Sequence, residues 1–146
     1  MLLYKNDRFY ARYISFILPD GCYLDPNPPI TNDYGISAWS EENQLRIDIS
    51  EETPPRSGEI AQAMHSYFFE GDDAFEQDSP IREINLDGIT GYEVLYHSGA
   101  DYYEVWLSLP DGLICEFFAE CPMGTVENIK ELPVIQTFLR NIKKEY

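Results

Sequence analysis

Residue types able to do chemistry are few in this chain: two histidines, three cysteines and many carboxylates. Their spacing argues against most catalytic uses. His65 falls beside the apolar stripe of a predicted helix, and His97 ends a predicted strand. No G-x-S-x-G turn marks a nucleophile, so no catalytic residue is assigned. Glu93 and His97 are four apart in a strand, hence on one face but roughly 13 Å apart. That is too far for two ligands of one ion, and the helical H-E-x-x-H spacing is missing. The run Glu70–Asp78 holds five carboxylates. It lacks the D-x-[DN]-x-[DN]-G order of a calcium loop and reads as a solvated acidic loop. Gly88-x-x-Gly91 lacks the first glycine of a dinucleotide fingerprint. No metal and no cofactor is expected.

Cys22, Cys115 and Cys121 are an odd number. Cys115 and Cys121 flank a predicted strand of six residues, roughly 20 Å when extended, while a disulfide needs Cα atoms within about 7 Å. Free thiols in a reducing compartment are expected. The opening MLLYKNDRFY has no apolar core or cleavage site of a signal peptide, and no apolar run approaches the roughly 18 residues of a membrane helix. A cytoplasmic, soluble protein is the expectation.

The 146 residues suit one domain, 1–146. There are 26 acidic and 10 basic side chains, a formal charge of −16. From Ser57 to Asn128 the only Lys or Arg is Arg82. Such a field repels nucleic acid and anionic lipid and serves solubility. It also attracts a basic partner.

The elements that would position a site follow from periodicity and turn residues. Tyr10 to Leu18 reads as a strand ending at Pro19-Asp20-Gly21. Asp25-Pro26-Asn27-Pro28-Pro29 is a loop. Tyr34–Ser40 and Gln44–Ser50 form a hairpin, with Leu45, Ile47 and Ile49 alternating with Arg46, Asp48 and Ser50. Ser57 is a plausible cap for a helix carrying Ile60, Ala61, Met64, Tyr67 and Phe68. Strands Ile89–His97, Asp101–Leu109 and Leu113–Glu120 follow Ile81–Leu86. Thr125 is a candidate cap, and Pro133 opens a last helix with Ile135, Phe138, Leu139 and Ile142 on one face and Lys143 and Lys144 in its last turn. The order argues an α+β fold: an antiparallel, meander-rich sheet of six to seven strands with two helices packed on one face.

Cross-strand matching sets the expected register. Pairing Tyr96 with Tyr103 also sets Val94 against Val105 and Tyr92 against Leu107. A three-residue turn at Pro110-Asp111-Gly112 sets Leu107 against Cys115, Val105 against Phe117 and Tyr103 against Ala119. Leu107 and Phe117 should then lie under the helices. The opposite face would carry Tyr102, Glu104 and Trp106, beside Glu93, Glu116, Phe118 and Glu120. Tyr and Trp amid charge are typical of contact surfaces. Trp106, Tyr102 and Phe118 are the candidate apolar centre, and Glu93, Glu104, Glu116 and Glu120 its rim.

The segments YISFILPDGCYLD, LRIDIS and TFLRNIK, with a helix and a three-strand meander between them, resemble the PsbP-like superfamily, which includes Mog-type and DcrB-type proteins. The resemblance implies a non-enzymatic accessory or binding role and brings no functional residue with it. The expected partner is an unidentified, basic protein, and an immunity-type inhibitor of a cationic toxin is one form of this. The alternative is a small enzyme or ligand-binding domain with a pocket near His65 or His97.

Overall fold

The computed structural model describes residues 1–27, 33–72 and 74–146. Pro28, Pro29 and Asp73, read above as loop, lie outside the described residues. Two sheets and two helices make up the fold. The small sheet joins β1 (Leu3–Lys5), β2 (Arg8–Tyr10), β3 (Ile14–Phe16) and β12 (Lys143–Lys144) in that order. The large one contains β4 (Cys22–Leu24), β5 (Gly35–Ser40), β6 (Leu45–Glu52), β7 (Glu76–Gln77), β8 (Arg82–Leu86), β9 (Ile89–His97), β10 (Ala100–Ser108) and β11 (Ile114–Pro122). Its order is β4-β5-β6-β11-β10-β9, and short β7 and β8 pair with successive stretches of β9. All pairings are antiparallel. The α+β class and the meander hold, and the sheets carry more strands than the six to seven expected.

Helices α1 (Ile60–Phe69) and α2 (Pro133–Arg140) lie on opposite faces of the large sheet, not on one as expected. Ile135, Phe138 and Leu139 of α2 pack with Val105, Leu107, Cys115 and Phe117, and with Ile14 and Phe16 of the small sheet. Ala63, Met64 and Phe68 of α1 pack with Val94, Tyr96, Trp106 and Ile114. Strand alternation sends these two sets to opposite sides. Val105, Trp106 and Leu107 are each fully buried in succession, which requires a cover on both faces.

The β10–β11 register is the expected one, with Leu107 opposite Cys115, Val105 opposite Phe117 and Tyr103 opposite Ala119. The β9–β10 register differs by one residue: Tyr102 faces Tyr96, Glu104 faces Val94 and Trp106 faces Tyr92. The cause is the connection. Asp101 pairs with His97, which leaves three residues, Ser98, Gly99 and the first residue of β10, Ala100, between the last β9–β10 partners, with Gly99 at φ +73°, a left-handed value that glycine adopts freely. The slip sets Gly91 against Leu107, where a Cβ would collide with the backbone of Trp106 and Leu107.

Other boundaries shift locally. The predicted strand from Tyr10 to Leu18 divides between the last residue of β2 and β3, and α1 begins after Glu59, not Ser57. Pro133 opens α2 as expected, whereas Thr125 caps no helix. Lys143 and Lys144 pair with Ser15 and Ile14 in β12 and do not prolong α2. Arg8 holds this end of the chain by donating to the Asn141 carbonyl at 2.8 Å.

Candidate functional site

The registers map the α1 side of the sheet residue by residue. One row runs Trp39, Arg46, Glu120, Tyr102, Tyr96; the next Ser37, Asp48, Phe118, Glu104, Val94; the next Gly35, Ser50, Glu116, Trp106, Tyr92. Six of the seven expected contact residues therefore share a face. Glu93 does not. The one-residue slip turns it to the α2 side, where it is 5% exposed. It accepts from Tyr103 Oη at 3.0 Å and pairs with Lys130 Nζ. Its work is to tie the segment before α2 to the sheet.

Trp106 and Glu104 are on the expected face but under α1, 0% and 1% exposed, so neither touches a partner directly. Trp106 lies 5.7 Å from the Phe68 ring, and its Nε1 donates to Glu104 Oε2 at 3.2 Å. Tyr96 Oη donates to the other Glu104 oxygen at 3.1 Å. Burial, then the nearby Glu116 carboxyl, pushes Glu104 well above the usual carboxylate range. Tyr102 and Phe118 are half-buried. Tyr102 stacks on Tyr96 with ring centroids 5.0 Å apart and touches Phe118 at 5.7 Å.

The apolar cluster under α1 ends at Ile114 and Tyr102. Beyond it, over β11, β6, β5 and β4, no described helix covers the sheet. There the half-buried side chains are Asp25, Trp39, Arg46, Asp48, Glu52, Glu116, Phe118 and Glu120. Arg46 donates to Asp25 Oδ2 at 2.9 Å, faces Asp48 at 3.7 Å and lies over the Trp39 ring. Burial first and Glu116 second push Glu52 up to about 7. Burial likewise raises Asp48.

Sequence reasoning missed the β4–β6 contribution. Its signal was present: Arg46, Asp48 and Ser50 alternate with the core residues Leu45, Ile47 and Ile49. Matching Ile49 with Phe117 and Ile47 with Ala119, the observed pairs, would have put Asp48 beside Phe118.

The two histidines lie elsewhere. His65 Nδ1 meets Glu70 at 3.2 Å at an exposed position over a depression of about 670 Å³ lined by Arg56, Gln62 and Ser66. His97 Nδ1 meets Asp78 at 2.7 Å, and that bond raises its pKa. It lines a cleft of about 430 Å³ with Leu95, Asp101, Val126, Glu127 and Ile129. All three cysteines are free, and burial raises the thiols of Cys115 and Cys121, the latter to about 11. Among the described residues no three His, Cys, Asp or Glu side chains converge as a metal site, and no helix is long and apolar enough to cross a membrane.

In class this is an α+β fold whose large antiparallel sheet is roofed on one side by α2 and the small sheet, and on the other only in part, by α1. Among solved structures it is similar to LpqN of Mycobacterium tuberculosis, a protein involved in cell envelope biogenesis. The TM-score is 0.61 at 12% identity over 98% of this chain and 88% of that one, a likeness of fold. No protein-family model matches the chain, and no curated protein matches it in sequence.

Proposed function

We propose that the chain is a non-enzymatic protein-binding or accessory module, and that it meets a basic partner with the open, acidic half of the α1-side face. The observation that carries this reading is the row structure of that half. Phe118 and Trp39 are interleaved with Asp48, Glu52, Glu116 and Glu120, Tyr102 borders them at the limit of the α1 cluster, and Arg46 is the one basic side chain among them in the described residues. Aromatic side chains supply contact area, and rim carboxylates steer encounter. An immunity-type inhibitor that masks the phosphate-binding groove of a cationic toxin is one form such a module takes. This is in keeping with the accessory role that the PsbP-like resemblance implies. Three free thiols favour a reducing, cytoplasmic setting, while the envelope role of LpqN offers an envelope setting for comparison. Cell fractionation decides between them.

The test is capture of a partner from native extract by immobilised protein, with elution by raised salt. Phe118→Ala combined with Glu120→Lys should abolish capture. Capture indifferent to both changes would move the contact off this face. The alternative, a ligand-binding pocket, draws support from the His97 cleft, which Asp78, Asp101 and Glu127 line together with Leu95, Val126 and Ile129. Retained partner binding in His97→Ala separates it from the first reading.

A further inference from the structure

On the side of the large sheet away from the acidic face, a cleft of about 450 Å³ opens between β8 and α2. Ile84, Leu86 and Leu139 line it with apolar surface, and Lys130 and Arg140 line it with positive charge. Lys130 Nζ meets Glu93, whose other oxygen accepts from Tyr103 Oη at 3.0 Å. Both oxygens of Glu93 are thus taken, while the ammonium has two further N–H groups to offer. Gln136 Nε2 donates to the Lys130 carbonyl at 2.6 Å and ties the segment that carries this ammonium to α2. Arg140, in the last turn of α2, reaches only Thr137 Oγ1, at 3.4 Å. Arg82, directly opposite Glu93 on β8, shares its side of the sheet.

A second observation concerns charge. The chain has 26 acidic and 10 basic side chains, so carboxylates are plentiful as partners for an arginine. Among the described residues neither Arg82 nor Arg140 has one within ion-pair distance. One of them lines the cleft, and the other is the cross-strand neighbour of Glu93, which also lines it. The nearby carboxyls do not fill the place of a ligand. Glu93 is committed to Lys130 and Tyr103, and Asp87 accepts from the Lys144 amide at 2.8 Å. Glu83, opposite Tyr92, falls on the α1 side. Glu131, in the turn before α2, is exposed and does not line the cleft. The cleft is a cationic recess in a strongly anionic molecule.

We propose that this cleft binds a small organic monoanion, a carboxylate carried on a short apolar body. The inference goes beyond the protein-binding reading and stands apart from it, because the two sites lie on opposite faces of the sheet. The Arg140 guanidinium offers the planar fork that a carboxylate matches with two parallel hydrogen bonds, and Lys130 adds a further donor from the ammonium already placed by Glu93. Ile84, Leu86 and Leu139 cover the apolar body. A volume of about 450 Å³ suits a small ligand. The formal charge of −16 repels a dianion such as a phosphate ester twice as strongly as it repels a monoanion, which favours the carboxylate.

The probe is hexanoate, compared with hexanol, which keeps the chain without the charge, and with acetate, which keeps the charge without the chain. Titrations of isotope-labelled protein at neutral pH and fixed ionic strength are followed by amide chemical shifts. Hexanoate should bind at least about tenfold more tightly than either, a difference of 1.4 kcal/mol, and should shift the amides of Leu86, Lys130 and Leu139. Arg140→Gln should weaken hexanoate at least about fivefold, and Arg82→Gln added to it should weaken binding further. Lys5→Gln, which removes the same charge from the exposed strand β1, should leave affinity unchanged. Arg82, Arg140 and Lys5 are all exposed, so the urea midpoints of these variants should match the parent and show that folding is intact. Equal affinity for hexanoate and either control, no measurable binding, shifts confined to another part of the molecule, or equal effects of Arg140→Gln and Lys5→Gln would overturn the proposal. Partner capture by Arg140→Gln should be unchanged, which keeps a failure of this site distinct from a failure of the acidic face.

Discussion

On one side of the large sheet, two neighbouring pairs of strands meet opposite fates. Strands β9 and β10 present Tyr92, Val94, Tyr96 and Trp106 to α1, and even a glutamate, Glu104, is drawn under the helix and held by Tyr96 and Trp106. Strands β6 and β11 present Asp48, Glu52, Glu116 and Glu120 beyond the edge of that roof. Aromatic and acidic residues alternate in both halves. What separates core from surface is the ten-residue helix, so aromatic content in a strand does not by itself mark a contact surface.

The sharpest way to break this contrast is to truncate one aromatic from each half. Trp106→Ala removes a fully buried indole and should cost about 3–5 kcal/mol in urea unfolding. Phe118→Ala, half-buried beyond the helix, should cost about 1 kcal/mol. Equal losses would mean that the open half is as much core as the roofed one. Emission offers a second view: with Trp39→Phe, the remaining Trp106 should be blue-shifted and shielded from acrylamide. Trp106→Phe should leave a Trp39 signal that acrylamide quenches readily.

A smaller effect comes from the α2 side. Glu93→Ala leaves Lys130 Nζ and the buried Tyr103 hydroxyl without their acceptor. With Lys130 partly in water, the loss should be about 1–3 kcal/mol. Glu116→Ala, in the acidic half, should by contrast be close to neutral in unfolding, because it relieves repulsion on Glu52, Glu104 and Asp48.

The smallest effect is the pH dependence of stability. Glu52 has a folded-state pKa of about 7 against an ordinary value of 4.5. The folded chain therefore binds more protons than the unfolded chain between those values, and stability falls as pH rises through that window. Glu104 and Asp48, raised by burial, act in the same direction. His97, raised by Asp78, adds stability that is lost as pH rises through its folded value. Midpoints of chemical unfolding should decline from weakly acidic to neutral pH, and Glu52→Gln should flatten that decline. A slope of opposite sign would place the buried carboxyls in a better-solvated setting.

The sequence made the β10–β11 pairing legible because Pro110-Asp111-Gly112 forces a three-residue turn, with Asp111 and Gly112 both at positive φ. The β9–β10 pairing was not legible for a physical reason. Both strands bury both faces, so apolar residues meet apolar residues in either register and alternation cannot choose. Gly99 carried the missing information, as did the unbroken apolar run Val105-Trp106-Leu107, which calls for a cover on each side. The same slip explains why Glu93 was placed on the wrong face, and why Trp106 and Glu104 read as contact residues when α1 encloses them.

The large sheet also ends unusually at its two margins. β4 has three residues, and the far side of β9 is closed by β7, with two, and β8, with five, parted by Asp78, Ser79, Pro80 and Ile81. Neither margin offers a long, straight ladder of free amides and carbonyls for another sheet to extend. Resistance to fibril growth is thereby built into the backbone rather than left to the chain's charge, and it should persist in concentrated salt, where the mutual repulsion of like-charged molecules is screened away.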